Sequence, residues 1–316
     1  MIERHDVISA YRYMLAREPE NEAVIERRLA VRDWVALRDL IRASPEYKAK
    51  QFLKPPERYV LTPPLNIDVT IPEEKFQRLL AHVQAVWERV GNDRPHWSVL
   101  TVPEYLPERI DENREQFYAS GADFVSRLDA ALQRAAKTLS GGRCLELGCG
   151  VGRVTAHLAS RFAHVVGVDI STPHLALAKA YLSEQRIENV TLQRLSNLSE
   201  LESFTGIDVL YSTFVLQHNP PPIMYAVLDK ILTNLNPGAF AFFQVPVYGD
   251  GYSFTIDDYI AGLDDVGRHG IEMHVLPQRY LFSLFEKHAM RLLDLIDDGG
   301  AGNRYLSHQV LAQKAE

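Results

Sequence analysis

Cysteine is nearly missing from this chain, with two residues, Cys144 and Cys149, in 316. So small a number supports no disulfide framework, and both positions suit small buried side chains. Long apolar runs are missing as well: none approaches the ~18 residues of a membrane span, and Met1-Ile2-Glu3-Arg4-His5-Asp6 lacks the apolar core of a signal peptide. A cytoplasmic protein with no membrane span is expected. Positive charge is not in excess either. With 34 Lys and Arg against 41 Asp and Glu, the net charge of -7 carries no electrostatic footprint for nucleic acid, which leaves small or neutral partners. His157, His164, His174 and His218 keep no ligand spacing with the cysteines, and pairs such as Asp257-Asp258, Asp264-Asp265 and Asp297-Asp298 read as solvated loop charges. No metal is expected. What remains, 46% hydrophobic and 24% charged, is globular material for one large domain and a smaller one.

The centre of the chain is more specific. Arg143-Cys144-Leu145-Glu146-Leu147 is an apolar stretch carrying one acidic residue, and Gly148, Gly150 and Gly152 follow at alternate positions. Val165-Val166-Gly167-Val168-Asp169 then ends in a carboxylate. Strand, glycine turn, helix and a second strand closed by an acid form the layout of a nucleoside-binding half of a doubly wound fold. A nicotinamide-binding turn reads G-x-G-x-x-G; here each gap is one residue. Ser171 followed by Thr172-Pro173 supplies a hydroxyl cap and an early proline for the next helix, which leaves Asp169 free for a ligand.

This rhythm, with Glu146 before it, resembles the class I S-adenosylmethionine-dependent methyltransferases. The resemblance covers 139–316 and implies a seven-stranded Rossmann-like α/β sheet whose last two strands form an antiparallel pair. It implies S-adenosylmethionine as cofactor, with contacts at Glu146, Gly148, Cys149, Gly150, Gly152, Asp169, Ile170, Asn197 and Phe214. In that family the glycine turn approaches the methionine part of the cofactor, amides near the helix start can meet its carboxylate, and Asp169 would take the ribose hydroxyls. Many members place an Asp after the third strand for the adenine; this chain has Asn197 there.

Strands are expected near 143–147, 165–169, 190–195, 207–214, 239–246, 290–296 and 304–313, with helices near 152–162, 173–185, 222–235 and 278–288 and a long connection over 248–276. Ahead of them, 75–138 reads as a helical cover: Phe76, Leu79, Leu80, Val83 and Val86 mark one helix, and Phe124, Leu128, Leu132 and Ala135 mark another over 112–139. That second helix is interrupted at Tyr118-Ala119-Ser120-Gly121, a lid contact or a kink. Residues 59–74 are proline-rich and non-periodic, as a linker would be. Residues 1–58 form an all-helical module with one apolar stripe on Val7, Ile8, Tyr11, Met14 and Leu15 and another on Trp34, Leu37, Leu40 and Ile41. Ala10 to Glu20 with Ser44-Pro45-Glu46 resembles a small helical module on bacterial enzymes of cell-surface glycan assembly. Self-association, if any, is expected through these helices.

Methyl transfer to an alcohol asks for two positioned reactants and a base for the departing proton. Three places beyond the fourth strand offer one: His218, Asp250 with Tyr252, and His274. Asn219-Pro220-Pro221 evokes the N-P-P of adenine methyltransferases, but Pro222 stands where their base-stacking aromatic belongs. The expected function is O-methylation of a sugar or glycan intermediate with a His or Asp base. The rivals are a methyltransferase for another small molecule, a cofactor-binding scaffold without turnover, and a dehydrogenase.

Overall fold

The computed structural model describes residues 2–15, 17–47, 65–139, 141–263 and 270–316. The chain divides into two compact units, Met1–Pro64 and Leu65–Glu316.

In the first unit, α1 (Arg4–Leu15), α2 (Glu22–Leu29) and α3 (Trp34–Ala43) enclose Val7, Tyr11, Leu15, Ile25, Leu37 and Ile41. The side chains of Asn21 and Asp33 cap α2 and α3 by accepting from Val24 N–H and Ala36 N–H. Trp34 and Leu40, expected on the buried stripe, are exposed instead. Leu37 and Ile41, one turn apart, occupy the inward line, while Trp34 lies over the start of α1 and its indole donates to Asp6. Residues 48–58 of the expected module and 59–64 of the expected linker lie outside the described residues.

The second unit opens with an extended segment that the sequence reading placed in that linker. Ile67 is buried and bridges to Phe254; Asp68 N–H donates to Phe254 O at 2.9 Å, and Phe254 N–H to Asn66 O at 3.0 Å. Next come α4 (Glu73–Asp93), α5 (Pro95–Val99), α6 (Ile110–Ala119) and α7 (Gly121–Arg134). The single helix expected over 112–139 is thus two. A Cβ at Gly121 would lie 2.2 Å from Arg153 O, so the break lets the chain pass close to that carbonyl.

Seven strands follow: β1 (Arg143–Leu147), β2 (His164–Asp169), β3 (Val190–Arg194), β4 (Ile207–Ser212), β5 (Leu235–Gly249), β6 (Met290–Asp297) and β7 (Tyr305–Lys314). Their order is β3-β2-β1-β4-β5-β7-β6, parallel through β5, with β7 antiparallel to both its neighbours. Val165, Val166 and Val168 in β2 and Ala241, Phe242 and Phe243 in β5 are buried, as strands covered on both faces must be. The covering helices are α8 (Thr155–Arg161), α9 (Thr172–Glu184), α10 (Pro221–Asn234), α11 (Ile256–Ala261) and α12 (Gln278–Lys287). The helix expected from 152 starts at Thr155, because Gly152 holds a φ of +82° that no α-helix accepts. The long connection over 248–276 carries α11, and its residues 264–269 lie outside the described residues. The chain runs outward from β1 to β3 and then returns beside β1 as β4. A crevice therefore opens at the carboxyl ends of β1 and β4, where doubly wound sheets bind ligands. Among the described residues no helix is long and apolar enough to cross a membrane.

Candidate functional site

A cavity occupies that crevice. Its floor is the turn after β1, where Gly148, Gly150 and Gly152 take φ values of +74°, +53° and +82°. Glu146, Gly148, Cys149, Gly150, Asp169, Ile170 and Phe214 line it, as expected of cofactor contacts. Gly152 and Asn197 do not. Gly152 packs against Ala178 of α9, where a Cβ would sit 3.3 Å from Ala178 Cα. The Asn197 carboxamide oxygen accepts from Ser199 N–H at 2.8 Å and caps the turn of 3-10 helix at Leu198–Ser203. Such a short-range Asx bond satisfies the side chain before it can reach a ligand.

Asp169 ends β2, and its carboxylate is not left free. Oδ2 accepts from Gly150 N–H at 2.8 Å and Oδ1 from Ser171 N–H at 2.9 Å. The Ser171 hydroxyl, expected to cap α9, donates instead to Trp87 O at 3.1 Å. The cap comes from α4: Glu88 Oε1 accepts from Thr172 N–H at 3.1 Å and Thr172 Oγ1 at 2.8 Å, and Arg194 lies at 3.2 Å. Burial alone would raise the Glu88 carboxyl, yet these donors hold it below the ordinary value.

The turn's amides are also committed inward. Gly148 N–H and Cys149 N–H both donate to Val168 O, and Gly152 N–H donates to Cys149 O. With Gly150 N–H on Asp169, four amides expected near a ligand carboxylate are engaged. A cation beside the turn, Arg153, was not singled out from the sequence. It lines the cavity at 4% exposure, stacks 4.2 Å above the Phe124 ring and donates to Ser120 Oγ at 3.1 Å. Burial lowers it to about 10. Ser120 therefore serves Arg153, and none of Tyr118 to Gly121 lines the cavity.

Glu146 is 3% exposed, and burial, with the Asp169 charge adding to it, pushes its carboxyl up to about 7. Glu146 Oε2 and Arg153 Nε are buried without a hydrogen-bond partner among the described residues. One unsatisfied acceptor and one unsatisfied donor of opposite charge beside one cavity fit a zwitterionic ligand end. The Cys149 thiol is pushed well above its ordinary value by burial, so it is a small apolar wall.

His218, expected as a base, is a cross-brace. Its Nδ1–H donates to Glu272 O at 2.9 Å, which leaves Nε2 to accept from Gln217 Nε2 at 3.0 Å. Gln217 Oε1 in turn accepts from Gln244, whose own oxygen accepts from Phe214 N–H. Burial drops His218 to about 4, so a proton finds neither a lone pair nor a favourable charge there. Tyr252 and His274 are brought together: the phenol donates to Nδ1 at 2.9 Å, and Nε2–H donates to Glu272 Oε2 at 3.1 Å. Burial raises the Tyr252 phenol well above its ordinary value, which keeps its proton in place. Asp250 stays apart, in the tight turn after β5, with its N–H donating to Arg304 O. Its carboxylate lines neither the cavity nor the cleft described next.

That cleft is smaller and lies beside the cavity, lined by His82, Trp87, His218, Tyr259, Glu272 and His274 among others. Trp87 lines both spaces.

Residues 145–241 match the family model of a methyltransferase domain. A ubiquinone biosynthesis O-methyltransferase of Hahella chejuensis is 36% identical over 122 residues, which are 37% of this chain and 48% of that one. A protein of the same name from Psychrobacter cryohalolentis is 26% identical over 222 residues, 67% of this chain and 78% of that one. Across the first three such relatives the chain spans about half of their length. Among solved structures, a magnesium protoporphyrin IX methyltransferase from Synechocystis, with S-adenosylhomocysteine bound, superposes with a TM-score of 0.52 at 18% identity, covering 75% of this chain and 100% of that one. Residues 145–241 are thus similar to a methyltransferase domain, and the second unit shares the seven-stranded α/β fold of that solved methyltransferase.

Proposed function

We propose that the protein is an S-adenosylmethionine-dependent methyltransferase that O-methylates a small polyhydroxylated acceptor of the sugar or glycan class. The observation that carries the cofactor half is the pair of buried atoms Glu146 Oε2 and Arg153 Nε, without hydrogen-bond partners among the described residues at the glycine turn, with Asp169 at the end of the neighbouring strand. Glu146 would face the cofactor's α-ammonium and Arg153 its α-carboxylate. Asp169 spends one acceptor position of each oxygen on backbone and has others for the ribose hydroxyls. Ile170, Leu195 and Leu198 supply apolar surface for the adenine. The bound cofactor supplies an electrophilic methyl on sulfonium; the chain's part is to orient it and the acceptor and to exclude water, for which positioning alone can contribute roughly 7 to 11 kcal/mol.

The acceptor half rests on the N-terminal likeness to glycan-assembly enzymes. The names of the relatives favour a second reading, a phenolic acceptor. Thermal unfolding with S-adenosylmethionine against NAD tests the cofactor: ligand at ~100 times its dissociation constant adds about 2.7 kcal/mol, and stabilisation by NAD alone refutes the reading. Labelled methyl transfer to nucleotide-sugars or oligosaccharides supports the acceptor class, and transfer to phenols alone selects the second reading.

A further inference from the structure

Ser98 of α5 and His174 of α9 line the cavity at 5% and 1% exposure, and the packing of an apolar wall calls for neither. A path of hydrogen bonds ties them to Asp169. Asp169 Oδ1 accepts from Ser171 N–H at 2.9 Å, Ser171 Oγ meets His174 Nδ1 at 2.7 Å, and His174 Nε2 meets Ser98 Oγ at 2.8 Å. On the other side of the carboxylate, Oδ2 accepts from Gly150 N–H at 2.8 Å, and a Cβ on Gly150 would lie 3.1 Å from Cγ2 of Val99, the residue after Ser98. Ser98 and Asp169 therefore border one part of the cavity from two elements, α5 of the helical cover and the end of β2.

The protons in this path can be placed. Ser171 has one hydroxyl proton and gives it to Trp87 O at 3.1 Å, so the ring supplies the proton of the next bond and Nδ1–H donates to Ser171 Oγ. Burial, outweighing the Asp169 charge, the Pro95 carbonyl and the Glu88 charge, lowers His174 below its ordinary value, which leaves a lone pair on Nε2. Nε2 accepts from the Ser98 hydroxyl, whose proton has one other taker among the described residues, Pro95 O at 2.9 Å. Either way Ser98 Oγ spends its proton on the protein. Its lone pairs remain, and no donor among the described residues reaches them.

We propose that Ser98 Oγ accepts a hydrogen bond from one ribose hydroxyl of S-adenosylmethionine while Asp169 takes the other, and that His174 and Ser171 are positioning residues that keep the Ser98 proton turned away from the ligand. The inference rests on the cofactor reading above and deepens it. An oxygen that offers lone pairs and no proton suits a ligand group that brings its own proton, and a ribose hydroxyl is such a group. The charged end of the cofactor is met by Glu146 and Arg153, so the neutral Ser98 falls to the neutral part of the ligand. An unsatisfied hydroxyl oxygen in a buried wall costs little while water can reach it, and it gains a partner when the ribose replaces that water. The short helix α5 then does more than cover the cavity: through Ser98 it is joined to the bound cofactor, and through His174 and Ser171 to the carboxylate on the facing strand end.

The test pairs the side chain with the ligand group. Calorimetry on the full chain, wild type and Ser98→Ala, measures S-adenosylhomocysteine and its two analogues that each lack one ribose hydroxyl. Ser98→Ala should weaken S-adenosylhomocysteine by about three- to tenfold, the range of one neutral hydrogen bond. It should weaken one of the two analogues by less than about twofold, because the partner of the lost oxygen is already missing there, and the other analogue as much as the parent. Ser171→Ala, which frees the ring to turn its proton toward Ser98, should reduce that hydroxyl-specific coupling and leave the contribution of the other hydroxyl unchanged. A role for Ser98 in packing alone lowers all three affinities alike, so equal losses overturn the proposal. Should Ser98→Ala not fold, wild-type protein carrying isotope-labelled histidine decides. Nitrogen NMR at neutral pH should show His174 with its proton on Nδ1, and its Nε2 signal should move on binding S-adenosylhomocysteine and move less with one analogue than with the other. A proton on Nε2, or equal movement with both analogues, overturns the proposal. Wild-type protein that binds neither S-adenosylmethionine nor S-adenosylhomocysteine overturns the cofactor reading itself, whereas tight binding without the coupling overturns this inference alone.

Discussion

Glu146 shows what a single buried group does to an otherwise open cavity. Burial raises its carboxyl from 4.5 to about 7, so in the ligand-free fold it holds a proton that the unfolded chain has lost. The folded state binds the extra proton between those values, so the Glu146 contribution to stability is greatest below 4.5 and is lost as pH rises to 7, on the order of 3 kcal/mol in all. A ligand ammonium reverses the preference, because it favours the ionised carboxylate. Affinity for S-adenosylmethionine should therefore rise with pH up to about 7, at most about tenfold per unit, and then level. Titration calorimetry at pH 5.5 and 8 reads this, and Glu146→Gln should flatten both the affinity and the stability profiles; an unchanged slope in the variant refutes it. Gly148 tests the backbone of the same turn. With φ at +74° and an added Cβ 2.3 Å from Val215 Cγ2, Gly148→Ala meets conformational strain and a clash together. It should lower stability by about 2 kcal/mol or more and weaken cofactor binding at least tenfold, as thermal unfolding and calorimetry would show. The placement of Gly148, Gly150 and Asp169 at the cavity was legible in the sequence because a turn at the end of one strand and an acid at the end of the next follow from spacing alone. His218 and Asn197 were not, because a side chain's duty depends on which partner reaches it first: Glu272 O and Gln217 for one, Ser199 for the other.

At the scale of elements, the site depends on how α4 sits on the start of α9. Glu88 caps α9 across 84 positions of sequence, Ser171 donates back to Trp87 O, and His174 bridges Ser171 and Ser98 at 2.7 and 2.8 Å. No local pattern announces such contacts. The periodicity of Leu79, Leu80, Val83 and Val86 marked α4 as a helix with one apolar face, but nothing in it named the loop that its far end would cap. Gly91 is the point of closest approach. An added Cβ would lie 2.6 Å from Ser171 Oγ, 2.8 Å from His174 Nδ1 and 2.9 Å from Pro173 Cγ. In an exposed helix interior, glycine to alanine gains roughly 1 kcal/mol. Here the helix must move off α9, and overpacking of this kind costs about 1 to 3 kcal/mol. The clash wins, so Gly91→Ala should destabilise the protein despite its better helix propensity, and it should weaken cofactor binding because Trp87 and the Ser171–His174 turn border the cavity. Chemical denaturation and calorimetry check both signs; a stabilised variant with wild-type affinity would mean that α4 does not bear on α9 as closely as its geometry states.

For the molecule as a whole, the strand count was readable, since alternating apolar runs and glycine punctuation repeat from 143 to 314, and the antiparallel last pair followed from the family resemblance. The boundary between units was not. Leu65 to Ile71 lacks periodicity and is rich in proline at its flanks, the composition of a linker, yet Ile67 is 5% exposed and bridges to Phe254, and the Asp68 carboxylate accepts from Ile256 N–H at 2.9 Å. Composition reports what a segment could not pack by itself, and this one packs on residues nearly 190 positions away. The division of the chain after Pro64 then makes a sharp prediction. A protein beginning at Leu65 keeps every contact of the Ile67 bridge and should fold cooperatively and bind S-adenosylmethionine with the affinity of the full chain. A protein beginning at Glu74 loses the buried Ile67, a side chain whose burial is worth about 1.5 to 3 kcal/mol, together with the Asp68 and Asn66 bonds at the base of α11. Because α11 carries Tyr259 against Glu272, the shorter protein should also lose the order of the cleft. Thermal unfolding and methyl-transfer assays on the two truncations decide it: equal stability and equal kcat would mean that residues 65–73 are a tether, whereas a drop of several degrees and a fall in kcat larger than the change in cofactor Kd places the start of the functional unit at Leu65.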